Sequence, residues 1–145
     1  MYILALTNAS RELTEPEWLK RAEGVHRQLR PQLPSDYQAA MQAIFADGGE
    51  MAVAIHDDAV VGLAVYRAFR NTFSGLRFYV DDLVSDEVRR SRGVGHALIE
   101  WLEHEARQRG AASLELESGT QRTQAHKFYF REGFVINSFS FRKPI

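Results

Sequence analysis

Hydrophobic positions recur along the chain with two different periods, and the changes of period divide it into helices and strands. Tyr2 to Leu6 is a short apolar run that predicts an opening strand. Thr14-Glu15-Pro16-Glu17 has the form of a capping box with proline in the first turn, and Trp18, Ala22, Val25 and Leu29 then fall on one face of a helix reaching toward Arg30. Pro31 and Pro34 break the chain. Ser35-Asp36-Tyr37-Gln38 opens a second helix with the stripe Tyr37, Met41, Ile44 and Phe45, ended by Gly48-Gly49. Met51 to Ile55 and Val60 to Tyr66 predict two strands joined as a hairpin through Asp57-Asp58. A polar loop from Arg67 to Gly75, carrying Arg67 and Arg70, leads to a third strand, Phe78 to Val84, whose apolar run is interrupted by Asp81-Asp82.

Beyond Gly93 the residues Val94, Leu98, Trp101, Leu102 and Ala106 share one helix face, and Gly110 follows the basic last turn. Ser113 to Glu117 alternates as a strand does. Because it returns after a single helix, it is expected to run parallel to Phe78–Val84. Gln124 to Arg131 predicts a last helix, with Gly133 in the position that ends one, and Val135 to Lys143 a last strand. The order β-α-α-β-β-β-α-β-α-β describes an α/β (α+β) domain, with a mostly antiparallel sheet and one parallel βαβ crossover. No repeat or linker divides it, so residues 1–145 read as one domain.

Charge and composition narrow the chemistry. A net charge of −1 argues against a dedicated nucleic-acid binder, and no apolar run approaches the roughly 20 residues of a membrane span. With no cysteine there is neither a disulfide nor a thiolate metal site, and the histidines show no metal-ligand spacing, so no metal is expected. No secretory leader pattern opens the sequence, which makes a cytoplasmic location the expectation.

Positive charge gathers at Arg89, Arg90 and Arg92, beside Arg90-Ser91-Arg92-Gly93-Val94-Gly95-His96-Ala97. Glycines let backbone N–H groups close around a phosphate, and the N-terminus of the following helix adds donors and partial positive charge at the same point. The stretch therefore reads as an anion cradle. A plain turn before a helix is the simplest alternative. A dinucleotide fingerprint is another, with Glu115 or Glu117 placed for a ribose, but the charged segment Ser85–Arg92 separates these glycines from the strand that should precede them directly. No Gly-Lys-Ser or Gly-Lys-Thr follows, which excludes a Walker loop.

The succession of strand, Arg90-x-x-Gly93-x-Gly95, helix, strand and then Ala125-x-x-Phe128-Tyr129-x-x-x-Gly133-Phe134 resembles the GCN5-related N-acetyltransferase (GNAT) superfamily, most closely from about Phe78 to Phe134. The resemblance implies an acyltransferase that moves an acetyl group from acetyl-CoA to an amine in a ternary complex. The backbone from Arg90 through Ala97, namely Arg90, Ser91, Arg92, Gly93, Val94, Gly95, His96 and Ala97, would hold the CoA pyrophosphate, with Leu83, Val84 and Ser85 alongside the pantetheine.

 The same resemblance assigns Tyr129 as the acid that returns a proton to the CoA sulfur, a task that a phenol near pKa 10 suits.

The run Tyr79-Val80-Asp81-Asp82-Leu83-Val84 resembles the acidic stretch of polyamine and diamine acetyltransferases, where the acids attend the acceptor amine. On that basis Asp81 is the expected base, working through a water, and Asp82 has a secondary part. Strand alternation would turn the two to opposite faces. His126, one turn before Tyr129, is a further candidate base. Arg67 and Arg70 suggest a carboxylate or phosphate on a small-molecule acceptor. A non-catalytic acyl-CoA-binding regulator and an enzyme that acetylates protein N-termini or lysines are the alternatives. Only one strand's length of chain follows Gly133, and the sheet edge this leaves exposed points to a homodimer.

Overall fold

β1 (Tyr2–Ala5), β2 (Glu50–His56), β3 (Ala59–Asn71), β4 (Gly75–Ser85) and β5 (Leu114–Leu116) form one sheet in sequence order, antiparallel except for the β4–β5 pair. The structure is a computed structural model that describes residues 1–89 and 92–145. Among the described residues its helices are α1 (Pro16–Leu29), α2 (Tyr37–Ala46), α3 (Val94–Gln108) and α4 (Thr123–Arg131), with a 3₁₀ turn at Glu87–Arg89. The mixed α/β fold expected from the sequence is the one observed. Residues 1–115 and 116–145 form two units.

In the first unit, alternation along the strands supplies two apolar faces. Met51, Val53, Ile55, Leu63 and Val65 join Leu19, Ala22 and Val25 of α1 and Tyr37, Met41 and Phe45 of α2 in one buried core. Tyr66, on the opposite face of β3, meets Trp101 of α3 edge-on, with ring centroids 5.7 Å apart. The β2–β3 hairpin turns at Asp57 and Asp58, whose φ angles of 50° and 54° are those of the turn that matches strand twist.

Two local expectations change in this unit. The Thr14 hydroxyl donates to the Leu6 carbonyl at 3.1 Å instead of capping α1, and Glu15 occupies the cap position without a side-chain bond. Asp36 does cap α2, accepting from the Ala39 N–H at 3.0 Å. The supposed loop Arg67–Gly75 is mostly strand: β3 and β4 pair from Gly62↔Ser85 to Asn71↔Gly75, so Arg67 and Arg70 stand on β3. Ladder hydrogen bonds outweigh the polar composition that suggested a loop.

In the second unit, α4 closes at Gly133, whose φ of 87° lets the Phe134 N–H reach the Tyr129 carbonyl at 3.0 Å. The final strand expected over Val135–Lys143 is not formed, and residues 134–145 carry neither helix nor strand. A strand exists only where another strand accepts its hydrogen bonds, and within its own unit this segment has only the end of β5 and α4. Val135, Ile136, Phe139 and Phe141 are consequently exposed.

Candidate active site

The pairing of β3 with β4 slips by one residue at the acidic pair. Val65 lies opposite Asp82, but the next residue, Tyr66, lies opposite Val80, so Asp81 is the extra residue of a β-bulge. Side chains on the two sides of the bulge change face. Phe78 stacks on Tyr66 at 5.3 Å on the α3 side, whereas Val84, of the same parity, is buried in the α1–α2 core.

Both acids therefore open toward α1. This corrects the expectation that they face opposite ways, because simple alternation fails where an extra residue enters the ladder. Asp81 pairs with Arg67 of β3, whose Nε and Nη2 lie 2.7 and 2.6 Å from Oδ2. Asp82 accepts from Arg30 Nε at 2.6 Å and, through its other oxygen, from His26 Nε2 at 2.8 Å.

His26 is 1% exposed, and its Nδ1 lies 2.9 Å from the equally buried Tyr37 hydroxyl. A carboxylate can only accept, so His26 Nε2 carries the hydrogen toward Asp82, and on a neutral ring Nδ1 then accepts from the Tyr37 O–H. Burial pushes the Tyr37 phenol up, the negative charges of Glu23 and Asp82 add to it, and Arg27 opposes. It stays protonated as that donor role requires. At Asp82 burial also acts upward, but the hydrogen bonds from His26 and Arg30, with the Arg30 charge, outweigh it and hold the carboxyl below its ordinary value.

The sequence reading missed His26, Tyr37 and Arg30 as partners of the acids. A signal for His26 existed: with Leu19 and Ala22 it follows the i, i+3, i+7 spacing of the buried face, and a polar residue on such a stripe needs a partner. The stripe drawn through Trp18 and Leu29 was turned by part of a residue step, and both of those are only partly buried.

From the bulge, Leu83, Val84 and Ser85 complete β4, and the chain passes through the 3₁₀ turn to α3. Arg92 is exposed, while the expected site residues Arg90 and Ser91 lie outside the described residues. Gly93 caps α3 with φ 79°, a conformation that a side chain would strain. The first helical bond runs from the Ala97 N–H to the Gly93 carbonyl at 3.0 Å, so the amides of Val94 and Gly95 come before any carbonyl the helix can offer them. His96 stands in the same first turn, within ion-pair range of Glu100 at 3.5 Å.

This helix end sits close on the sheet because β3 has no side chain at Gly62. A Cβ there would lie 2.6 Å from Val94 Cγ1 and 2.9 Å from the Val84 carbonyl oxygen. The carbonyl cannot swing aside as a side chain could. Gly62→Ala is expected to lower unfolding stability by about 1–3 kcal/mol, measured as a reduced urea midpoint with an unchanged slope.

In the second unit, Tyr129 packs its ring against Phe128 and Phe134, with centroids 5.4 and 5.6 Å away. Burial raises its phenol above the ordinary value, against a smaller opposing effect of Arg122. His126 lies 2.9 Å from the Gly119 carbonyl through Nε2. Glu115, considered above for a ribose, is tied to Arg77 at 2.6 Å. Among the described residues no His, Asp or Glu cluster is arranged to hold a metal ion, and no helix is long and apolar enough to cross a membrane.

Comparison with known proteins identifies the family and the fold. An uncharacterized N-acetyltransferase of Bacillus subtilis, YhdJ, is 29% identical over 138 residues, covering 93% of this chain and 97% of its own. The aminoalkylphosphonate N-acetyltransferase of Salmonella typhimurium is 29% identical over 150 aligned positions, covering 100% of this chain and 94% of its own. The solved structure of aminoglycoside N-acetyltransferase AAC(6')-Iy in complex with CoA shares the fold, with a TM-score of 0.80 at 18% identity over 99% of this chain and 95% of that one. The model of the acetyltransferase (GNAT) family matches residues 11–134, which span the bulged strand, the α3 cradle and α4; the chain belongs to that family and is an acyltransferase.

Proposed function

We propose that the protein transfers an acetyl group from acetyl-CoA to the primary amine of a small molecule. The observation that carries this reading is the bulge, which sets two carboxylates on one face of the strand that leads into the α3 cradle. The cradle has the chemistry that a CoA pyrophosphate needs: a glycine at φ 79°, amides at a helix start and Arg92 beside them. β5 accompanies β4 for only three residues of its eleven. The β4 edge along Leu83, Val84 and Ser85 would offer N–H and C=O groups to the pantetheine amides. A backbone N–H near Leu83 would polarise the thioester carbonyl as an oxyanion donor.

Asp81 receives the proton that the acceptor ammonium must lose, through a water, and Asp82 holds the bulge in shape through His26 and Arg30. The amine nitrogen bonds to the acetyl carbon as the carbon–sulfur bond breaks, Tyr129 gives its phenolic proton to the departing thiolate, and the second proton that the nitrogen sheds on becoming an amide returns through solvent to the Tyr129 phenolate. Supporting a small acceptor, two of the similar proteins are named for small amines, an aminoalkylphosphonate and an aminoglycoside.

The test is thiol release from acetyl-CoA across a panel of amines. Asp81→Asn is expected to lower kcat/KM about a hundredfold near pH 7. The deficit should shrink as the pH rises toward about 10.4, where an alkyl amine loses its proton unaided. CoA binding without release stimulated by any amine would favour an acyl-CoA-binding regulator instead.

A further inference from the structure

The acetyl transfer proposed above leaves the acceptor's other end unassigned, and the charges at the bulge bear on it. Asp81 and Asp82 face Arg67 and Arg30, two negative charges against two positive ones. Both Arg67 nitrogens converge on Asp81 Oδ2. The Asp81 side chain is 29% exposed and Arg30 42%, whereas Asp82 is 12% exposed and bound on both oxygens. Arg30 also donates from Nη2 to the Asp81 main-chain carbonyl at 3.3 Å, which keeps its guanidinium beside the residue that would take the amine.

We infer that the acceptor is a zwitterion, a short amine bearing a carboxylate, phosphonate or phosphate, with its ammonium facing Asp81 across the water that relays its proton and its acid group on the guanidinium of Arg30, aided by Arg67. This inference rests on the proposed acetyl transfer. An amine alone would add a positive charge to a balanced set. A diamine would press a second one against two arginines whose partner acids are already engaged. A zwitterion adds no net charge, and its planar or tetrahedral acid group matches the guanidinium fork. The polyamine-like look of Tyr79–Val84 is thus redirected by arginines that arrive from α1 and β3, outside the motif.

Four acceptors isolate the point: propylamine, β-alanine and 2-aminoethylphosphonate, each with two methylenes between the amine and the varied group, and 1,3-diaminopropane, whose amines are three methylenes apart. Acetylation of β-alanine or of the phosphonate is expected to exceed that of propylamine by roughly ten- to a hundredfold in kcat/KM, with the diamine lowest. The two acids distinguish carboxylate from phosphonate recognition. Arg30→Gln should erase most of the preference, chiefly through KM for the acid-bearing acceptor, and Arg30→Lys should restore part of it. CoA affinity, followed alongside, reports whether the variants keep their fold. Equal or better use of propylamine or the diamine would overturn the inference and leave acetyl transfer standing. No transfer to any amine while CoA binds would remove the transfer reading and the inference together.

Discussion

Tyr129→Phe is expected to lower kcat about a hundred- to ten-thousandfold, the usual worth of a placed general acid, while the affinity for acetyl-CoA stays nearly unchanged. The ring that packs between Phe128 and Phe134 is retained in the variant, so only the hydroxyl is lost. The pH dependence follows from the direction of the phenol's shift. An acid works while it holds its proton, and burial raises this phenol, so the alkaline limb of kcat should lie above the ordinary value of about 10. That limb should vanish in the variant. Stopped-flow thiol release with a saturating amine reads both effects. An unchanged kcat would mean that water protonates the thiolate and that Tyr129 serves only to pack.

Asp82→Ala is expected to cost about 3 kcal/mol of stability. The loss does not come mainly from the Arg30 ion pair, since that guanidinium is 42% exposed and regains water when freed. It comes from His26, 1% exposed, whose Nε2–H would lose its acceptor in a place water does not reach. The sign with pH follows from linkage. A carboxyl held below its ordinary value contributes stability that is complete above the unfolded value of about 3.9 and is lost as the pH falls through the lower folded value. The gap between the parent protein and the variant should thus be full at pH 7 and narrow in strongly acidic urea titrations. Equal midpoints at pH 7 would show that the His26–Asp82 contact carries no weight.

Much of the fold follows from local signals. Gly93 needs its left-handed φ wherever α3 begins, and the stripe Val94, Leu98, Leu102 and Ala106 buries one helix face as spacing alone requires. Asp57-Asp58 between two apolar runs specifies a tight hairpin for the same reason, a backbone preference carried by the residues themselves. The acid pair could also be found by type, because an amine acceptor calls for carboxylates and only Asp81-Asp82 interrupts an apolar strand.

What sequence could not decide is what those acids touch. A bulge is a relation between two strands, visible only when Val65 is set opposite Asp82 and Tyr66 opposite Val80. Arg30 and His26 reach Asp82 from positions 52 and 56 residues away, and no local period records a contact of that range. The last strand failed for the converse reason: Val135–Lys143 has the alternation of a strand, but pairing is supplied by a neighbour, and its own unit supplies little. Sequence by itself thus determined where the chain turns, which faces are apolar and which residue types could bind an anion or an amine, because each depends on residues close in the chain. Tertiary structure alone decided that both acids share a face and that arginines and a buried histidine hold them, because those are pairings across the sheet and between layers.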